Sequence, residues 1–418
     1  MRCISRWGRV VVVASAVGLV WAGTARAEIH SDRAAAIVTY PLVRAFILDF
    51  GDERVIEDTV IQLSNTSRTP VTAHCFYENA NSHCSNTGAV CLEGIDCCDL
   101  MSGCGTCDPG WNEIDFQVRL TPRQPIGWRA SEGLVDFPLG PDRGNGNAGS
   151  RVPELPENPF LGALKCIAVD NVTKAPIASN VLKGEATIQL VVNLLTGSAH
   201  NGQVDVQTSG LGQHAGQGGG AQAPPEEIIF MDVAKYSAIG IPAIPDGVND
   251  DRTLVLGGEQ AEYEGCPSTL IVDHFFDGAQ NPVTGLQSET QVALMPCTEN
   301  LLRQEPGSAV VQYLVFNEFE QRFSTSRSVE CLQYLPLSLI DTTQQNRSIF
   351  SAGVSGTLAG QTRLQSIGSG LVGVAVEGYG FVTVTLDDVL VLDRPFFSAA
   401  FNLQIQGERE QPDLITLP

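Results

Sequence analysis

The chain has 418 residues and a formal net charge of −22, with 47 acidic against 25 basic side chains. That surplus of acid argues against partners held by basic patches, so nucleic acid and anionic membrane surfaces are not expected. At roughly 100–200 residues per domain, the length allows two domains.

Residues 1–27 read as a secretory signal peptide. Arg2, Arg6 and Arg9 form a basic start, Val10 to Ala22 an apolar core, and Ala25-Arg26-Ala27 a small-x-small cleavage site before Glu28. The apolar core is shorter than the roughly 20 residues that span a bilayer. No later stretch is long and apolar enough to cross one, so no membrane span is expected after the signal is removed. Losing the four arginines of the leader would take the charge to −26. The expected location is secreted, periplasmic or at the cell surface, where the eleven cysteines beyond Cys3 would be oxidised. Eleven is odd, so at least one is free or pairs with another molecule.

Residues 34–48 predict one or two strands with a break at Pro41. Asp58–Leu63 is a strand, Asn65 to Pro70 a turn, and Val71–Tyr77 its partner. From Cys75 to Cys107 the chain carries seven cysteines in CFYENANSHCSNTGAVCLEGIDCCDLMSGCGTC. Residues 113–120 then alternate apolar Ile114, Phe116, Val118 and Leu120 with polar neighbours, the period of a half-buried strand. Residues 78–110 therefore read as a stapled insertion between two strands. Residues 138–159 are a Pro/Gly/Asn-rich loop, and 196–225 a Gly-rich flexible loop. The latter lacks the Lys-Ser/Thr end of a phosphate loop. Strands recur through the second half, with a short helix at Thr383–Leu392.

Many short strands with frequent turns predict an all-β fold, namely two Ig-like β-sandwich domains with a disulfide-rich loop insertion and a Gly-rich flexible loop. The domains would cover 28–250 and 251–418. An internal echo supports the pairing of halves: Thr59–Leu63 is similar to Thr269–Asp273, Thr72–Asn79 to Val311–Glu318, Leu161–Lys165 to Leu371–Ala375, and Lys235–Ile241 to Phe397–Leu403, in the same order.

The cysteines allow three chemistries. Cys104-Gly105-Thr106-Cys107, with Cys97-Cys98 before it, has spacing that can wrap zinc. A redox C-x-x-C needs a helix to follow, and Asp108-Pro109-Gly110 is turn chemistry instead. The plain reading is a stapled loop. Disulfide candidates are Cys75, Cys84, Cys91, Cys97, Cys98, Cys104, Cys107, Cys166, Cys297 and Cys331. Adjacent Cys97 and Cys98 should take different partners. Cys75 and Cys166 can pair across the sheets, or Cys75 can serve the insertion. Cys297 is expected to pair with Cys331, with Cys266 left less defined.

Asp246, Asn249, Asp250 and Asp251 are weak calcium candidates, without the twelve-residue helix-loop-helix pattern. None of the six histidines (His30, His74, His83, His200, His214, His274) falls in a paired metal spacing, and no G-x-S-x-G elbow occurs. Phe76, Tyr77, Trp111 and Trp128 could form a sugar-stacking face or belong to the core. Asn65, Asn171 and Asn346 head glycosylation sequons.

At TVIQLSNTSRTPVTAHCFYENANSHC and again at FNEFEQRFSTS, the chain resembles secreted bacterial proteins of unassigned activity with Ig-like sandwiches and a cysteine-rich insertion. The resemblance extends over most of the chain beyond residue 27. It implies export and an all-β fold, and brings no activity, ligand or catalytic residue with it.

The expectation is a non-enzymatic exported protein, structural or adhesion-like, with no cofactor, binding a protein or glycan at the cell surface through its loops. A carbohydrate-binding module is the first rival, distinguished by whether Trp111, Trp128 and Tyr77 line an exposed flat face. A secreted hydrolase with dispersed carboxylates, or a zinc site at Cys97–Cys107, is the second. It would be revived by a deep pocket with converging acids.

Overall fold

A computed structural model describes residues 33–50, 53–91, 97–99, 103–108, 110–134, 152–194, 227–245, 251–280, 287–341, 347–386 and 390–418. The chain is nearly all β. Its first half is built on β1 (Ile37–Phe50), β2 (Glu53–Asn65) and β3 (Val71–Asn79). β1 runs through Pro41 without ending; its register with β11 (Phe160–Val169) shifts between Tyr40 and Val43. A bulge there absorbs the proline, which has no N–H to give to a ladder. β1 pairs with β11 through Ala45 and with β2 from Ala45 onward.

The described residues of the cysteine insertion carry five two- or three-residue strands: β4 (Ser82–Cys84), β5 (Val90–Cys91), β6 (Cys98–Asp99), β7 (Gly103–Cys104) and β8 (Cys107–Asp108). β9 (Asn112–Leu120) follows and pairs with β3 from Val71↔Leu120 to Asn79↔Asn112. The insertion is thus the tip of a long hairpin. β10 (Pro125–Arg129), β12 (Leu182–Leu194), β13 (Glu227–Ser237) and β14 (Ile239–Ile241) complete a nine-stranded sheet of order β13-β12-β2-β1-β11-β3-β9, with β10 on β2 and β14 on β1.

The second half begins with β15 (Thr253–Leu256), β16 (Pro267–Phe275), β17 (Ser288–Pro296) and β18 (Glu299–Asn300). β19 (Ser308–Asn317), β20 (Arg322–Glu330), β21 (Gln333–Pro336) and β22 (Ala359–Ile367) follow. β23 (Leu371–Leu386), β24 (Leu390–Asn402), β25 (Gln404–Glu408) and β26 (Asp413–Thr416) end the chain. A five-stranded sheet, β20-β19-β22-β16-β25, faces a four-stranded one, β21-β17-β23-β24. Leu270, Val272, Val311, Tyr313 and Leu364 of the first interdigitate with Val292, Leu294 and Ala375 of the second, a sandwich core.

Three expectations change. Val71–Tyr77 is not the partner of Asp58–Leu63: β1 and β11 lie between β2 and β3 in the sheet, so the turn at Asn65 to Pro70 crosses over two strands instead of closing a hairpin. Thr383–Leu392 is no helix. Its described residues belong to β23 and β24, paired from Val374↔Asn402 to Leu386↔Leu390. The run holds β-branched Thr383, Val384, Thr385 and Val391, which favour strand, and Pro395 lies on β24 at the sheet edge, where a missing donor is tolerated. The internal echo does not carry into the pairing: β3 and β11 are neighbours in one sheet, whereas their counterparts β19 and β23 lie in different sheets. The expected boundary at 250/251 borders residues outside the described ones. The calcium candidates Asp246, Asn249 and Asp250, the loop at 196–225, the leader 1–27 and Asn346 also lie outside them.

The halves share apolar cores. One cluster joins Tyr40, Ile61, Tyr77 and Trp128 with Ala293 and Val374. Another joins Ile37, Phe76 and Ile167 with Leu254, Met295, Val372 and Ile415. Within the second lies a buried ion triad. Lys165 on β11 contacts Glu299 on β18, and its Nζ stands 3.4 Å from Glu78 Oε1 on β3. All three side chains are at most 3% exposed.

Candidate binding cleft

The described cysteines form five disulfides: Cys75–Cys166, Cys84–Cys97, Cys91–Cys107, Cys98–Cys104 and Cys266–Cys297. Several disulfides suggest an oxidising environment. Adjacent Cys97 and Cys98 take different partners. Three bridges hold the insertion, where the Sγ atoms of Cys84, Cys91 and Cys97 lie within 4.8 Å of one another. Two stacked bridges make that cluster, and each sulfur is already bonded to sulfur rather than free as the thiolate zinc requires. Cys75 and Cys166 are facing partners on neighbouring strands of one sheet, not a link across sheets. Cys297 pairs with Cys266 instead of Cys331. Cys266 precedes β16 and Cys297 follows β17, so this bridge pins the two sheets of the second half together. Cys331 is free and buried. Burial and nearby Glu78 push its thiol well above the ordinary value, against the opposing pull of Lys165.

The aromatic candidates are not a sugar platform. Phe76, Tyr77 and Trp128 are buried. Trp128 Nε1 donates to the Tyr77 hydroxyl at 2.7 Å, and Phe116 meets the Trp128 ring edge-on. Trp111 packs partly buried against the shared core. The described histidines have structural partners: His74 with Asp115, His83 with Glu157, and buried His274 with Thr362, each at 2.8 Å. Burial takes His274 down to about 4. Asp251 is exposed and accepts from Thr253 N at 2.7 Å, a local turn contact. Asn65 is buried, and its side chain bonds Thr69 O and Thr121 O, so this sequon is closed in the folded chain. Asn171 is exposed.

A cleft of about 570 Å³ opens where the halves meet. Its floor is apolar: Ile188 and Leu190 of β12, Ala234 of β13 and Val376 of β23. Around it converge Arg44, Glu57, Asp232, Asp277, Glu289 and Tyr334. Arg44 leaves β1 just beyond the Pro41 bulge. Its Nη1 lies 2.6 Å from Glu57 Oε1, its Nη2 donates to Oε2 at 3.1 Å, and its guanidinium lies 4.9 Å from the Tyr334 ring centre. Burial opposes its charge, but Glu57 and Tyr334 outweigh that and hold its pKa above the ordinary value. The one guanidinium among the described lining residues is therefore already matched by one carboxylate.

Three acids remain. Asp232 on β13 accepts from Ser398 N on β24 at 3.0 Å, which ties the sheet edges of the two halves together. Glu289 on β17 accepts from Gln291. Asp277, just past β16, is raised to about 6 by burial and further by Glu289, against hydrogen bonds from Ser338 and Thr290. Its Oδ1 is buried without a hydrogen-bond partner among the described residues. Buried carboxylate oxygens are rarely left so, and this one lies beneath the cleft wall. No histidine or cysteine is among the described lining residues.

None of these cleft residues stood out in the sequence. Arg44 offered the one local signal, a charge inside the mostly apolar run of residues 40–48. Asp232 and Asp277 look like any acid near a strand end. No protein-family model and no curated protein matches this chain.

Proposed function

We propose that this is an exported, non-enzymatic binding protein whose inter-half cleft takes a cationic group, an ammonium or guanidinium carried by a protein partner or a small amine. The observation that carries the reading is the excess of three carboxylates over the matched Arg44–Glu57 pair, one of them with an orphan oxygen. Clefts between packed units, with an apolar floor and a few convergent polar groups, are common ligand sites. Titration with arginine amide, lysine amide and spermidine, against neutral citrulline amide, tests it. The cations are expected to bind and the neutral compound not to. Asp277→Asn should weaken binding about ten- to a hundredfold, the size of a lost charge-assisted hydrogen bond. Affinity should fall as pH drops through about 6, where Asp277 takes up its proton. The same shift acts on folding with a definite sign. A carboxyl raised in the folded state costs stability once ionised, so its contribution worsens from about pH 4 to about pH 6 and is constant above. No binding by any of the cations at millimolar concentration would sink the cleft reading.

A second reading is favoured by one observation. A carboxyl raised to about 6 beside another acid is the arrangement of a general acid with its base. Turnover of a glycoside that Asp277→Asn abolishes, without loss of binding, would select it.

Export is supported by the disulfides, which form and persist in oxidising compartments. The intact mass of the purified protein is expected to begin at Glu28 and to lack two hydrogens for each of five bridges. One thiol, Cys331, should alkylate only after denaturation. Alkylation of several thiols in the native protein would contradict the disulfide framework.

A further inference from the structure

The outer face of the five-stranded sheet carries rows of mostly neutral side chains around one arginine. Register places Ser326, Gln312, Gln365 and Thr269 in one row across β20, β19, β22 and β16, and Ser324, Leu314, Arg363 and Ile271 in the next. Because strand residues alternate between faces, these side chains share the side opposite the sandwich core. Ser324, Ser326, Gln312, Gln365 and Arg363 are exposed, while Tyr313, Val315 and Leu364 between them are buried. A trough of about 590 Å³ lies over Gln312, Leu314, Ser324, Ser326, Arg363 and Gln365.

Arg363 is the unusual member. It makes no hydrogen bond or ion pair among the described residues, in a chain with 47 acids to 25 bases. Arg44, Arg129 and Arg409 each have a carboxylate within 4.0 Å. On this face the nearest acid in the register, Asp273, accepts from Gln361 at 2.8 Å instead. The trough thus offers one free planar fork for a carboxylate, surrounded by neutral hydroxyl and amide groups that can both donate and accept. Leu314 and Ile271 beside it are half-exposed and apolar.

We propose that this face binds an acidic polysaccharide, a hydroxyl-rich chain with sparse carboxylates such as a polyuronate. The guanidinium takes a carboxylate, the serines and glutamines take hydroxyls, and Leu314 and Ile271 support the C–H face of a sugar ring. A polyacidic peptide fits less well, since beside Arg363 it would meet neutral groups and, in the next row, Arg322 lying over the Phe316 ring together with the carboxylate of Asp273. The site is separate from the cleft and does not depend on it.

The test is calorimetric titration of the full protein at about 0.15 M salt, where long-range repulsion from the acidic chain is screened beyond about 8 Å. Probes are oligomers of galacturonate, of mannuronate and of alternating glucuronate and N-acetylglucosamine, with neutral galactan and oligo-glutamate as controls. At least one uronate oligomer should bind, with galactan at least tenfold weaker. Arg363→Gln should lower the uronate affinity at least tenfold and leave the unfolding midpoint unchanged. Gln312→Ala should lower it several-fold, and Asp277→Asn should leave it unchanged. Failure of every uronate oligomer to bind, equal binding by Arg363→Gln, or oligo-glutamate binding as tightly would each overturn the proposal.

Discussion

Lys165→Met is expected to destabilise the protein by about 3–5 kcal/mol, the cost of leaving a buried charge without its partner. Methionine keeps most of the packing volume, so the loss comes from electrostatics. Glu78 and Glu299 would be left facing each other in a region where no side chain of the triad is more than 3% exposed. Burial already drives Lys165 down and Glu78 up, each toward its neutral form, against their mutual attraction. The variant should show a lower urea midpoint with an unchanged slope. A second readout separates charge from packing. With the lysine gone, Glu78, already raised by burial, loses the attraction that opposes that rise, so stability should recover as pH falls from 7 toward 5. Adding Glu299→Gln to Lys165→Met should also restore part of the loss. A cost below about 1 kcal/mol, or no recovery at lower pH, would show that the triad carries little uncompensated charge.

Removing the Cys75–Cys166 bridge is the second large effect. The bridge closes a separation of 91 residues and is buried in the first of the two cores that the halves share. On the loop-entropy relation its loss as a double alanine variant costs about 4–5 kcal/mol, and loss of Cys98–Cys104, which closes a separation of 6, about 2 kcal/mol. The placements widen the difference. Cys75 and Cys166 sit on facing strands next to the Tyr77–Trp128 hydrogen bond, whereas Cys104 is exposed at the tip of the insertion. Denaturation of the two double variants under non-reducing conditions checks the order. Equal losses, or a larger loss at Cys98–Cys104, would mean the insertion rather than the core limits stability.

Comparing sequence with structure, strands were legible where burial alternates strictly. Phe116, Val118 and Leu120 on β9 face the core with polar residues between them, and a window of eight residues contains that whole pattern. The helix expected at Thr383–Leu392 failed because the long hairpin of β23 and β24 is held by register across two segments, which no single window displays. The cleft was hidden for the same kind of reason. Arg44 and Tyr334 are 290 residues apart, and Asp232 and Ser398 are 166 apart.

The sequence by itself determined the β class, the position of the stapled insertion between two strands, and the oxidised state that its cysteine density implies. These follow from local alternation, turn chemistry and composition, which act over a few residues. Only the tertiary structure decided which cysteine stays free, that Lys165 is a buried counter-ion to Glu299 134 residues away, and which acids share a cleft. A charged side chain reads alike in sequence whether water or another charge surrounds it, and that choice is made only when distant strands pack.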